Sequence, residues 1–286
     1  MTATVGVVMR NHNALKLTSE CLESLLDTGY KHLRFYVIDD GSHDGSGELI
    51  SERFPSVEVI RSDRYIEYCR ALNIGIRKSL KDGADYIFVI NNDTKNFSKN
   101  YFEVVLEEFQ RDEKVGLVGS LVYDYEGGRR SAGTPDTRLG VFVDTPTEGY
   151  VFSRKVLEHV GLFDEQLVRY FEDFDYLIRM RAAGFKSVCA LSVSFDHLGG
   201  GTSKKQWWTP NFYRVRNLIW FLKRRCEDKP IKWKLRNFRG FLRKHIVLML
   251  SLARDLRFGR LALVGFAVGC GFIAGILTRW DNESYE

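Results

Sequence analysis

The sequence predicts an α/β fold with a mostly parallel central sheet flanked by helices, and three observations carry that prediction. Short apolar runs alternate with stretches whose leucines and isoleucines recur at helical spacing. The run Tyr86-Ile87-Phe88-Val89-Ile90 has no polar side, as a strand covered on both faces requires. Several of these runs stop in acids or carboxamides, at the carboxyl strand ends where open parallel sheets bind ligands.

The elements follow in order. Ala3–Met9 is a valine-rich strand that ends in the polar cluster Arg10-Asn11-His12-Asn13. Leu15, Leu22, Leu25 and Leu26 mark one side of a helix that stops near Gly29, and Leu33–Ile38 forms the next strand. That strand runs into Asp39-Asp40-Gly41-Ser42-His43-Asp44-Gly45-Ser46. A helix over about 47–54, a strand at Val57–Ile60, a helix over about 66–80 and the strand 86–90 complete a set of βαβ units, which pack right-handed and parallel. A helix near 99–111 and a strand at 115–123 come next. Residues 124–148, with Gly127-Gly128-Arg129-Arg130 and Gly133-Thr134-Pro135, read as a hairpin or mobile loop. Thr147–Tyr150 leads toward a helix near 154–160, Phe171–Asp175 opens a helix that stops at Gly184, and the strand 187–195 ends in Asp196-His197.

At 286 residues and 44% hydrophobic content the chain can bury a full core, which excludes disordered and fibrous classes. Its five cysteines show no CxxC spacing, which argues against a zinc knuckle or a disulfide framework and fits a reducing compartment. The N-terminus enters its first strand without a basic stretch before a long apolar one, so no secretory signal is expected.

Charge divides the chain. Residues 204–260 carry 17 Lys/Arg against 3 Asp/Glu, and residues 1–203 carry 24 against 31. Trp207, Trp208, Tyr213, Trp220, Phe221 and Trp233 are interleaved with the basic residues, a mixture that suits either a nucleic acid or the headgroup layer of an anionic membrane. No RNA- or DNA-binding module is present and the acidic part would repel a polyanion, so the membrane is expected and nucleic acid is not. Phe212, Val215, Leu218, Ile219 and Leu222 fall among arginines as an amphipathic helix. Residues 261–277 are uncharged and contain Gly265-x-x-x-Gly269 and Gly271-x-x-x-Gly275. Three readings of that segment stand: an interfacial or re-entrant helix, a soluble packing helix or homo-oligomer contact, and a short membrane span.

Four element ends present acids or a histidine: Asp39-Asp40, Asp93, Glu172-Asp173 and His197. Each has an ordinary explanation as turn chemistry, helix capping or a packed imidazole, but one parallel sheet would gather all four into a single cleft. Together with Asn91-Asn92-Asp93, Phe163-Asp164-Glu165 and the Gly-Gly-Gly-Thr-Ser after His197, they resemble the family 2 glycosyltransferases of the Rossmann-like GT-A fold. The rhamnosyltransferase- and galactofuranosyltransferase-type members are the most similar.

The resemblance covers roughly 3–203 and implies a GT-A domain over 1–203, followed by a basic, aromatic-rich membrane-association region over 204–286. It implies an inverting transfer from a nucleotide-diphosphate sugar, dTDP-rhamnose or a UDP-sugar, to a saccharide, typically a lipid-linked cell-surface glycan at the cytoplasmic face of the membrane. It implies Asp173 as the base that takes the acceptor hydroxyl proton, with Glu172 beside it toward the acceptor. It also implies a divalent ion, Mn²⁺ or Mg²⁺, on Asp93 with His197. Asn91 stands where the family usually has an acid and offers a neutral oxygen. Arg10, Asn11, Asp39, Asp40 and Asn92 are candidate donor-binding residues; Arg70 is either another or an exposed helix charge. Two rivals remain: a nucleotidyltransferase that releases pyrophosphate, and a non-catalytic nucleotide-sugar-binding membrane scaffold.

Overall fold

The structure is a computed structural model and describes residues 3–125, 130–131, 148–199, 208–225, 232 and 268–274. The chain forms β1 (Val5–Asn11), α1 (Leu15–Leu26), β2 (Leu33–Asp40), α2 (Ser46–Arg53), β3 (Val57–Ser62), α3 (Tyr68–Lys81) and β4 (Tyr86–Ile90). It continues through β5 (Thr94–Lys95), α4 (Tyr101–Arg111), β6 (Val115–Asp124), β7 (Arg130–Ser131), β8 (Gly149–Ser153) and α5 (Arg154–Val160). Then come α6 (Glu172–Ala182), β9 (Lys186–His197) and α7 (Trp208–Arg224).

The expected βαβ units appear as a parallel half-sheet in the order β3-β2-β1-β4. Past β4 the direction alternates. β8 lies antiparallel between β4 and β6, β9 runs parallel to β6, and β5 pairs antiparallel with the end of β9. β8 stands where the sequence suggested only a lead-in to a helix. Its Val151 joins the core on one face of the sheet while Tyr150 and Phe152 join the core on the other, the two-residue alternation of a strand. Within the stretch expected as a hairpin or loop, β7 pairs antiparallel with β6, and residues 126–129 and 132–147 lie outside the described residues.

Two helical layers cover the sheet. α1, α2 and α4 bury Leu22, Leu25, Ile50, Phe102 and Val105 against Val7, Met9, Phe88 and Ile90. On the other face α3, α5 and α6 pack Leu72, Ile76, Leu157, Tyr176 and Met180 against Val8, Ile87, Val89 and Phe152. β4 thus has apolar side chains on both faces because both faces are covered. α3 comes close enough that a Cβ on Gly75 would stand 2.5 Å from Val8 Cγ1, so only glycine fits there.

α7 lies beyond the expected boundary at residue 203 and packs on the helices that cover the sheet. Leu218, Trp220, Phe221 and Leu222 belong to the same core as α3, α5 and α6, and Trp220 and Phe221 are fully buried. Leu218 and Leu222 of the expected amphipathic stripe are among these core residues. Arg225 extends the attachment with a 2.5 Å ion pair to Asp175 of α6. A short helical stretch at 268–274 lies against α7, with Gly271 so close that a Cβ would meet the Phe212 carbonyl oxygen at 2.5 Å. Residues 261–267 and 275–277 of the apolar C-terminal segment lie outside the described residues. No helix among the described residues is long and apolar enough to cross a membrane.

Candidate active site

A cleft of about 680 Å³ opens at the carboxyl ends of β1 and β4. One wall is Asn91-Asn92-Asp93 and His197, the facing wall is Arg169–Phe174, and Arg10, Tyr68, Glu148 and Arg214 fill the gaps. Of the residues singled out in the sequence, Arg10, Asn91, Asn92, Asp93, Glu172, Asp173 and His197 meet here.

Asp93 and His197 are 104 residues apart and meet through β5, whose Thr94 pairs with His197. The Asp93 carbonyl accepts from Leu198 N–H at 2.9 Å, and His197 Nε2 lies 3.1 Å from Asp93 Oδ1. Among the described residues no group of three or more His, Cys, Asp or Glu converges on one point. The pair nevertheless suits an open divalent-metal site. Their separation is compatible with two ligands of one divalent ion, and both residues line the cleft. A carboxylate with an imidazole is a donor set that Mn²⁺ accepts readily. Asn91 spends one lone pair of its oxygen on the Tyr68 hydroxyl, which donates at 2.8 Å, leaving one. Burial raises that tyrosine's pKa and keeps the hydroxyl protonated.

Arg10 Nε donates to Asp40 Oδ2 at 2.6 Å, and its guanidinium stacks over Tyr65. Its Nη2 is buried without a hydrogen-bond partner, a donor ready for an anion in the cleft. Asn11, Asp39 and Asp40, read from the sequence as donor-binding, do not line the cleft; they form a buried support behind Arg10. Asn11 Nδ2 donates to Asp39 Oδ1 at 2.9 Å and to Ser46 Oγ at 2.7 Å, and its Oδ1 accepts from Thr18. Asp40 also accepts from Ile66 N–H. Asn92 does line the cleft and donates to Thr18 Oγ1 at 2.8 Å. Arg70 is about half exposed and pairs with Glu165 at 3.1 Å. Its neighbour Asn73 is buried and bonds both the N–H and the carbonyl of Phe163, stitching α3 to the turn before α6.

Glu172 and Asp173 open α6, where the helix dipole favours negative charge. Asp173 Oδ1 accepts from Phe174 N–H at 2.8 Å. Glu172 keeps part of its surface exposed, but Oε2 is buried without a hydrogen-bond partner. Burial first, and then the charge of Asp173, push its pKa from the ordinary 4.5 up to about 8. The native state therefore holds a proton that the unfolded chain has released between about pH 4.5 and pH 8. The stability this group contributes is complete below that window and declines as pH rises through it. Glu172→Gln, which cannot ionise, is expected to gain stability relative to the wild type as pH rises from about 5 to about 8.5, read as the difference in urea midpoint. A difference that stays constant over that range would refute the assignment.

Tyr68, Glu148, Arg169 and Arg214 were not anticipated. Arg214 lies in the basic stretch assigned to a membrane and instead stacks over Tyr170 at the cleft, 4.6 Å from the ring centroid. Trp220 and Phe221, which flank the carboxamide Asn217 on the side away from the Val215–Leu222 stripe, were the available signal that a second side of that helix faces protein.

The sequence pattern of Glycosyl transferase family 2 matches residues 6–174, more than half of the chain. The chain belongs to that family. A family relative, glycosyltransferase GlyG of Streptococcus pneumoniae, is 27% identical over 129 residues, 44% of this chain and 41% of the relative. The chain thus spans about two fifths of that protein's length. The N-acetylglucosaminyl-diphospho-decaprenol L-rhamnosyltransferase of Mycobacterium tuberculosis is 23% identical over 90% of this chain and 97% of its own length. Among solved structures, the mannosyltransferase PcManGT from Pyrobaculum calidifontis in complex with GDP-Man and Mn²⁺ superposes with a TM-score of 0.60 at 14% identity, covering 97% of this chain and 87% of that one. That likeness is one of fold, the GT-A fold. The family 2 match includes Glu172 and Asp173 and stops short of His197 and α7.

Proposed function

We propose that the protein is an inverting, divalent-metal-dependent glycosyltransferase. It moves a sugar from a nucleotide-diphosphate donor, dTDP-rhamnose or a UDP-sugar, to a saccharide acceptor on a lipid-linked cell-surface glycan. The observation that supports this best is the placement of Asp93 with His197 on one wall of a single cleft and Asp173 on the other. The two relatives named above support the sugar-transfer chemistry, and the mycobacterial one supports the lipid-linked acceptor.

In this reading the acceptor hydroxyl lies against Asp173, which takes its proton as the oxygen bonds to the anomeric carbon. The bond from that carbon to the diphosphate breaks on the opposite face, so configuration inverts and a nucleoside diphosphate leaves. Glu172, its pKa raised by burial and by the charge of Asp173, stands beside the base and helps to orient the acceptor from its exposed part. Arg10 Nη2 meets the donor's negative charge. Asp93 and His197 would hold Mn²⁺ or Mg²⁺, which when bound neutralises charge on the departing diphosphate. The ten Lys and Arg against three acids between 226 and 260 support peripheral attachment to the anionic cytoplasmic face of the membrane.

The experiment is a screen of nucleotide sugars, dTDP-rhamnose and UDP-sugars first, with Mn²⁺ and with anionic vesicles present. The expected products are a nucleoside diphosphate and a glycosylated acceptor, with the protein sedimenting on the vesicles. Release of pyrophosphate would replace this reading with nucleotidyl transfer. Absence of turnover with every donor would leave a binding protein, and protein that stays in the supernatant would remove the membrane.

A further inference from the structure

We propose that Asn217 is a positioning residue for the catalytic carboxylates: α7 clamps the segment 166–171 in a strained course and so fixes where Glu172 and Asp173 enter the cleft. The proposal rests on the reading of Asp173 as the base, and it draws on residues beyond the span of the family match.

The segment ahead of α6 is unusual in its backbone. Val168, Tyr170 and Phe171 have φ of 66°, 64° and 71°, a left-handed region that L side chains rarely adopt, least of all a β-branched valine. Three such residues within four positions need outside support to persist. Part of that support is local, since Arg169 N–H donates to Leu167 O at 2.7 Å across Val168, and the carbonyls tell where the rest comes from. Arg216 Nη2 donates to Gln166 O at 2.6 Å and to Leu167 O at 3.1 Å. Cys69 N–H, at the start of α3, donates to Val168 O at 3.0 Å. Asn217 Nδ2 lies 2.7 Å from Leu167 O, 2.7 Å from Arg169 O and 2.8 Å from Tyr170 O. Five consecutive carbonyls are therefore held from other elements, three of them by one carboxamide.

The chemistry of that carboxamide is specific. Two N–H protons serve three carbonyls, so at least one proton is shared. The other end of the amide, Oδ1, accepts from Arg216 Nε at 2.8 Å, which fixes the nitrogen toward the loop. Asn217 is fully buried, so water cannot substitute for it. An aspartate there would face three carbonyl oxygens with a negative charge, and an alanine would leave three acceptors with one donor fewer each.

The test compares the wild type with Asn217→Ala, Asn217→Ser and the double variant Asn217→Ala/Val168→Gly. Four quantities are read: kcat, donor KM, donor-binding stoichiometry, and amide hydrogen exchange in the protein without substrate. Asn217→Ala is expected to lower kcat at least tenfold with donor KM within twofold and stoichiometry unchanged. Exchange at 168–174 should accelerate at least tenfold while β1–β3 keep their protection. Val168→Gly should recover at least threefold of the lost kcat, because glycine takes φ 66° without strain. Unchanged kcat and exchange in Asn217→Ala would overturn the proposal. So would exchange that accelerates throughout, a glycine variant that rescues nothing, or failure of both single variants to fold, each of which makes Asn217 a general structural residue. Exchange needs no donor, so a clamp that loosens as expected in a protein that transfers no sugar would refute the proposed activity and leave the clamp standing.

Discussion

Asp173→Asn is expected to lower kcat by about 10²–10⁴-fold, the usual contribution of a positioned general base, with donor affinity within about twofold of the wild type. The asparagine oxygen can keep the bond from Phe174 N–H that holds the side chain at the start of α6, while the change removes the proton-accepting ability and the negative charge that helps raise the pKa of Glu172. The opposite wall, with Arg10, Asp93 and His197, is untouched, which is why donor binding should survive. The check is steady-state kinetics beside calorimetric titration with the donor. Full activity in Asp173→Asn would move the base elsewhere, with Glu148, also in the cleft, the next residue to replace.

Asp93→Asn is expected to weaken Mn²⁺ binding by more than tenfold and to lower turnover by about 10² or more, with His197→Ala having the smaller effect of the two. The order follows from charge. Asp93 brings a formal negative charge to a divalent ion, whereas His197 brings a neutral nitrogen that any entering water can partly replace. Since Asn91 is neutral, Asp93 is the one charged residue of the Asn91-Asn92-Asp93 run, and the site should be sensitive to its loss. Direct Mn²⁺ titration without donor separates metal binding from catalysis. An Asp93→Asn protein with an unchanged Mn²⁺ requirement would exclude this residue as the ligand.

The parallel half of the sheet was open to inspection because β1, β2 and β4 carry runs of four or five apolar residues, as strands covered on both faces require. β8 and β5 were not. β8 offers three apolar residues, Tyr150-Val151-Phe152, whose partners Phe88 and Val118 are distant in sequence, and β5 is two residues long. Both depend on pairing that no local pattern encodes. The acids and the histidine were legible as candidates because carboxylates at strand and helix ends are few. Their division into a cleft set and a buried support was not, since Asp39 and Asp93 look alike until their neighbours are known. α7 misled for a related reason. An apolar stripe flanked by arginines reads the same whether it meets lipid or protein, and only burial of Trp220, Phe221 and Asn217 decides.

The pairing of Arg225 with the buried carboxylate of Asp175 bears on how the chain can be divided. Asp175 is wholly buried and bonds two guanidinium groups, that of Arg179 one turn along α6 and that of Arg225 just past the end of α7. A fragment ending at 203 would leave Asp175 with one arginine and would uncover the apolar side chains that Trp220 and Phe221 now shield. A portion meant to keep its cleft is therefore expected to need the chain through Arg225. A catalytic module from this chain cannot be grafted or exchanged at the point where its charge changes sign.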